Sequence, residues 1–146
     1  MPKLENGLFI FHRDLRLRDN KGLIEASKLV KKLYVCFIFT PEQISEKNKS
    51  RSQDSIQFMI ESLDDLHDEI QHFGGKLHTF YGDNLKIISE ISKENSIDVI
   101  GFNYDYTPYS IKRDNSIIEM CNKMGIQIMC SHDYYLLEPG TILNGS

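Results

Sequence analysis

The sequence predicts a doubly wound α/β fold, a five-stranded parallel sheet with helices on both faces. Short, continuous apolar runs of strand length alternate with stretches of helical spacing along the whole chain. Apolar runs that do not alternate with polar residues belong to strands buried on both faces, as in parallel sheets covered by helices. Each intervening stretch is long enough to act as a crossover, and right-handed crossovers make the doubly wound arrangement the economical topology.

The first strand is expected at Leu8–Phe11, which runs without a break into His12, Arg13, Asp14, Arg16, Arg18 and Asp19. In open α/β sheets ligands bind where strands end, so this density of charge is a first candidate site. Asp19 or Asn20 can cap a helix carrying Leu23, Ile24, Leu29 and Val30, with Lys31 and Lys32 at its C-terminal dipole. Leu33–Phe39 is the second expected strand. A polar loop, Ser45 to Ser52, leads into Ile56, Met59, Ile60, Leu63, Leu66, Ile70 and Phe73, a helical stripe stopped by Gly74 and Gly75. Leu77–Tyr81 supplies the third strand, and Asp83 or Asn84 caps a helix with Leu85, Ile88 and Ile91 on one face. The fourth strand is expected at Ile97–Phe102. A helix starting near Tyr109 or Ser110 follows, with Ile111, Ile117, Ile118, Cys121 and Met124 before a Gly125 stop; Ile126–Cys130 is the fifth strand. Glu138-Pro139-Gly140 is a turn signal, so residues 1–133 are expected to form the domain and 134–146 the start of a linker.

At 146 residues the chain has the size of one domain, large enough to bury about 68–70% of its unfolded surface. A net charge of −4 argues against a surface built throughout to coat nucleic acid. No apolar run approaches the roughly 20 residues of a membrane span, and a soluble intracellular protein without membrane contact is expected. Cys36, Cys121 and Cys130 show no C-x-x-C spacing and read as buried thiols. His12, His67, His72, His78 and His132 lack metal-ligand spacing, so no metal site is expected. Glycine-rich phosphate fingerprints and the G-x-S-x-G nucleophile elbow are absent from the sequence, and no catalytic residue is assigned.

Two stretches can carry chemistry. In the loop after the first strand the arginines and aspartates form either a solvated salt-bridge cluster or an anion or domain-contact site. The second stretch, Phe102 to Asp114, sets tyrosines beside Asn103 and Asp105 at a strand end, which suits a planar, hydrogen-bonding ligand. Its alternative is that Tyr104, Tyr106 and Tyr109 pack over the sheet edge while Lys112, Arg113 and Asp114 form a surface network.

These stretches resemble the N-terminal α/β domain of the DNA photolyases and cryptochromes. His12-Arg13-Asp14-Leu15-Arg16-Leu17-Arg18-Asp19-Asn20-Lys21-Gly22-Leu23 is similar to that family's opening signature. Agreement continues through Phe37 to Pro41, Arg51, Phe58 to Leu66, Asn103 to Tyr109 with Arg113-Asp114, and Leu137 to Gly140. His12, Ile10 and Thr40 depart from the residues usual at their positions. The resemblance implies a Rossmann-like domain that holds an antenna chromophore, a folate or a deazaflavin, in a cleft at the strand ends. Arg13, Asp14, Arg16, Phe39, Thr40, Asn103, Asp105 and Tyr106 are the cofactor-binding residues it implies, with Asp19 and Asn20 mainly capping the next helix. It also implies a helical FAD-binding domain as partner, in cis or in trans, through which alone damaged DNA would be engaged. Without that domain the chain is expected to be inactive in repair and open to self-association through its uncovered docking face. The second reading is a non-catalytic module or remnant that docks a partner protein; a free-standing nucleotide binder ranks last.

Overall fold

The structure, a computed structural model, describes residues 2–12, 14–41, 53–105, 107–131 and 135–137. Its elements run β1 (Leu4–Phe11), α1 (Lys21–Leu29), β2 (Val30–Phe39), α2 (Gln53–His72), β3 (Leu77–Tyr81), α3 (Asn84–Glu94), β4 (Val99–Asn103), α4 (Pro108–Met124), β5 (Gln127–Ser131) and β6 (Tyr135–Leu137). The sheet order is β3-β2-β1-β4-β5-β6, with the first five strands parallel and β6 antiparallel to β5. The five parallel strands and their intervening helices are those expected from the apolar runs.

Continuous apolar strands arise because the pleat sends successive side chains into two separate cores. From β1, Leu8 and Ile10 pack with Ile88 and Ile91 of α3 and with Ile117, Ile118 and Cys121 of α4. Phe9 and Phe11 point the other way, joining Ala26 of α1 and Leu63, Leu66 and Ile70 of α2. Each such side chain contributes roughly 1.5–3 kcal/mol when fully buried. Helix α1 lies close to β4, and a Cβ on Gly101 would sit 2.9 Å from Met129 Cε and 3.4 Å from Ala26 Cβ.

Helix ends follow local chemistry. Asn20, Asp83 and Thr107 are the N-caps, Pro108 opens α4, and Gly125 ends it in the left-handed conformation at φ 73°. Three expectations are corrected. Val30, Lys31 and Lys32 belong to β2 rather than to the end of α1, because the β1–β2 ladder reaches back to Leu4↔Val30. Lys31 consequently meets Glu5 at 2.8 Å instead of complementing a helix dipole. Phe73 and Ile111 are 79% and 44% exposed, since the stripe of α2 ends at Ile70 and that of α4 is set by Ser110, Asp114, Ile117, Ile118 and Cys121. The structure also adds β6 within the expected linker. Three residues are too few for a periodic signal, and only their pairing with β5 defines them as a strand. The Ser45 to Ser52 loop and the Glu138-Pro139-Gly140 turn lie outside the described residues.

The three thiols are free and buried, and burial pushes Cys36 and Cys121 up to about 12 and Cys130 higher still. No helix among the described residues is long and apolar enough to cross a membrane. Strand order reverses between β1 and β4, which makes the crevice beyond their C-terminal ends the topological switch point.

Candidate functional site

A cleft of about 240 Å³ opens at that switch point, lined by His12, Asp14, Arg16, Asn103, Tyr104 and Asp105. Parallel pairing brings β1 and β4 side by side, so residues about 90 positions apart in sequence meet at their ends. Asn103 ties the two together. Its Nδ2 donates to Asp14 Oδ2 and, at 2.7 Å, to Asn20 Oδ1, while its Oδ1 accepts from the Gly22 amide at 3.0 Å. Asn20 Nδ2 donates to Asp14 Oδ2 and to the Asp14 and Arg16 carbonyls at 3.0–3.2 Å. Asn20 Oδ1 also caps α1 by accepting from the Leu23 amide at 3.1 Å. Asp14 Oδ1 takes the His12 amide at 2.8 Å, so the loop after β1 is closed into a fixed shape. Gly22 is required where it stands: an added Cβ would lie 2.2 Å from Asn103 Oδ1.

Of the residues predicted from sequence, the structure brings Asp14, Arg16, Asn103 and Asp105 to this cleft. Asp14 and Asn103 share one hydrogen bond and spend their others on His12, Asn20 and Gly22. Arg16 is exposed and holds the carbonyls of Arg18 and Asp19 at 3.2 and 3.4 Å. Asp105 accepts from Ser110 Oγ at 3.1 Å. Phe39 and Thr40 lie at the end of β2 and do not line the cleft. Phe39 stacks edge-on against Phe37 at 4.8 Å, and Thr40 Oγ1 is 3.3 Å from the Tyr109 hydroxyl. Arg13 and Tyr106 fall outside the described residues.

From the cleft wall inward runs a string that the sequence reading missed, from the partly buried His12 ring to the buried Asp114. Arg113 Nη2 is 3.0 Å from His12 Nδ1, and Arg113 Nε donates to Asp114 Oδ1 at 3.0 Å. Arg113 and Asp114 side chains are 9% and 0% exposed, which replaces the surface network considered for them. The available signal was helical phase, since Asp114 falls on the same stripe of α4 as Ser110, Ile117, Ile118 and Cys121. Asp114 Oδ2 has no hydrogen-bond partner among the described residues.

Burial drives the ionisation of both ends. Desolvation, reinforced by Arg113, lowers His12 to about 3, and desolvation, opposed by Arg113, raises Asp114 to about 6. The two act oppositely on stability. Below about pH 6.5 the unfolded chain protonates His12 and the folded chain does not, so folding loses stability as pH falls. Asp114 holds a proton in the folded chain from about pH 6 down to its unfolded value near 3.9, so it gains stability over that range. Their effects offset one another between about pH 6 and 4. Asp114→Asn should therefore lose about 1.4 kcal/mol per pH unit more than the parent chain across that interval, measured by urea melts at each pH.

Comparison with known proteins points one way. A protein-family model described as DNA photolyase matches residues 8–146. The chain is 30% identical over 145 residues to cryptochrome-1 of Aedes aegypti, covering 94% of this chain and 26% of that protein. It is 27% identical to a deoxyribodipyrimidine photo-lyase of Synechococcus over 139 residues, covering 95% of this chain and 28% of that one. Among solved structures it is similar to an archaeal photolyase from Sulfolobus tokodaii, with a TM-score of 0.81 and 39% identity over 89% of this chain and 30% of that one. That structure is described as holding two FAD molecules, with the implication of a novel light-harvesting cofactor. A class III photolyase from Agrobacterium tumefaciens, at 22% identity over 89% of this chain and 26% of that one, shares the fold with a TM-score of 0.77.

Proposed function

The chain belongs to the DNA photolyase family as an N-terminal α/β domain, and on that premise we propose that it is an antenna domain. Its task is to hold a light-harvesting chromophore for a helical FAD-binding domain, joined in cis or in trans. The observation that carries this reading is the cleft at the β1/β4 switch point. At about 240 Å³ it lies just below the usual range of roughly 300–1,000 Å³ for ligand pockets, room for the ring system of a chromophore.

The lining suits such a group. Tyr104 and the His12 ring offer aromatic surface, and Arg16 and Asp105 offer polar groups at the same opening. We assign Arg13, Asp14, Arg16, Asn103, Asp105 and Tyr106 to the cofactor, with Phe39 and Thr40 at the neighbouring strand end. Asp14 and Asn103 serve by holding the loop in shape. A bound chromophore would supply light absorption, and the assigned residues would hold and orient its ring. Folate, deazaflavin and flavin all present planar, hydrogen-bonding rings, and the two FAD molecules of the 39% identical archaeal relative favour the flavin. Recognition of damaged DNA and repair chemistry would then lie in the partner domain, and the chain by itself would not repair.

Titrating the chain into FMN, a deazaflavin and a reduced folate, with fluorescence as the readout, tests the proposal. Saturable binding of one of them is expected. Its reduction by Arg16→Ala would support the assigned cleft, and no saturable binding of any would remove the antenna role.

A further inference from the structure

Arg113 has no place in the cofactor assignment above, yet its position decides the state of the cleft's inner wall. Its Nη2 lies 3.0 Å from His12 Nδ1. A guanidinium can only donate, so Nδ1 must present a lone pair. A neutral imidazole with a bare Nδ1 carries its hydrogen on Nε2. Only that tautomer can accept from the guanidinium at Nδ1.

Arg113 is itself held in place. Nε is fixed by Asp114 at 3.0 Å, its side chain is 9% exposed, and its guanidinium lies 6.0 Å from the centre of the Tyr109 ring. Among the described residues, the charged and titratable groups around this string are Asp105 from the loop after β4, Cys130 from β5 and Tyr109 of α4, with Asp14 and Arg16 from the loop after β1 and Tyr104 sharing the cleft with His12. Protonating His12 would set a second cation against the guanidinium and remove its acceptor. The ring meanwhile leans on Phe102 at 5.5 Å and borders both the cleft and a small inner void of about 10 Å³.

We propose that Arg113 is a positioning residue that fixes His12 as the neutral, Nε2-protonated imidazole and so makes it an uncharged aromatic wall of the cleft. A planar ring lying there meets a surface whose charge does not change around neutral pH. The functional sense of this rests on the chromophore reading, but the state of the ring does not.

Long-range proton–nitrogen spectra of the labelled chain, without ligand, test it directly. His12 is expected to show a bare Nδ1 and a protonated Nε2, unmoved between about pH 7.5 and 5. Arg113→Met should give a mixture of tautomers and a His12 titration shifted upward from the parent's but still held below the ordinary range by burial, and Arg113→Gln, which keeps a donor without the charge, should restore the Nε2–H form. With FMN as probe, affinity in the parent chain should stay level over that range and fall about tenfold on acidification in Arg113→Met. A parent His12 that carries its proton on Nδ1, or that titrates between about pH 5.5 and 7, overturns the proposal, whether or not the variants fold. An Arg113→Met spectrum identical to the parent overturns it equally. Failure to bind FMN with the expected spectrum intact would count against the chromophore reading and leave the role of Arg113 supported.

Discussion

Asn103→Asp is expected to lower the free energy of unfolding by about 3 kcal/mol near neutral pH, although it changes the side chain's size very little. The amide nitrogen that donates to Asp14 and Asn20 becomes an oxygen, so two carboxylates face each other across a hydrogen bond that no longer exists. Asp14 then loses one of the donors that hold its charge, and Asn20 Oδ1 keeps only the Leu23 and not the Asn103 contact. The sign with pH follows. One of the paired carboxyls must bind a proton in the folded chain, so its folded pKa lies above its unfolded one. Stability is then recovered as pH falls through that raised value and lost as pH rises. Asn103→Ala removes the donor without adding a charge and should show no such recovery. Urea melts of both variants across the acid range distinguish repulsion from simple loss of contact.

Phe102→Ala is expected to cost about 3–5 kcal/mol, the range for deleting a fully buried aromatic side chain. Phe102 is 0% exposed and sits at the last turn of pleat before the cleft, 5.5 Å from the His12 ring and 6.1 Å from Tyr104. Its loss opens a cavity under both aromatic walls, so the effect reaches the site as well as the core. Against a typical total of roughly 5–15 kcal/mol the fold would be marginal. The midpoint of urea unfolding should drop with an unchanged slope, and affinity for the chromophore should fall more than tenfold under conditions where the variant is still folded. A midpoint within experimental error of the parent would contradict the packing described for β4.

How much of this was legible in the residues depends on the range of the interaction. Leu8–Phe11 and Ile100 with Phe102 lie in strands buried on two faces, and unbroken apolar runs announce that locally. Caps such as Asn20 and Asp83 act within three residues and are equally readable. The start of β2 was not, because Val30 takes its conformation from Leu4, a partner in another strand. At the site, the two charged stretches could be named from the sequence. Their union in one cleft was readable only through the family resemblance, since the contact of Asp14 with Asn103 spans 89 positions and depends on strand order. Arg113 and Asp114 look like a surface pair when read as adjacent charges. Only the phase of α4 turns Asp114 inward, and only the position of β1 supplies His12 as the third member.

Mapping amide chemical shifts of the labelled chain during titration with FMN addresses the antenna assignment most directly. Saturable shifts are expected at His12, Asp14, Arg16 and Asn103 to Asp105, at the ends of β1 and β4, with little change along α2 or the β3 edge. Saturable shifts centred on α2 or β3, or none at the β1/β4 switch point with FMN, a deazaflavin or a reduced folate, would contradict the account.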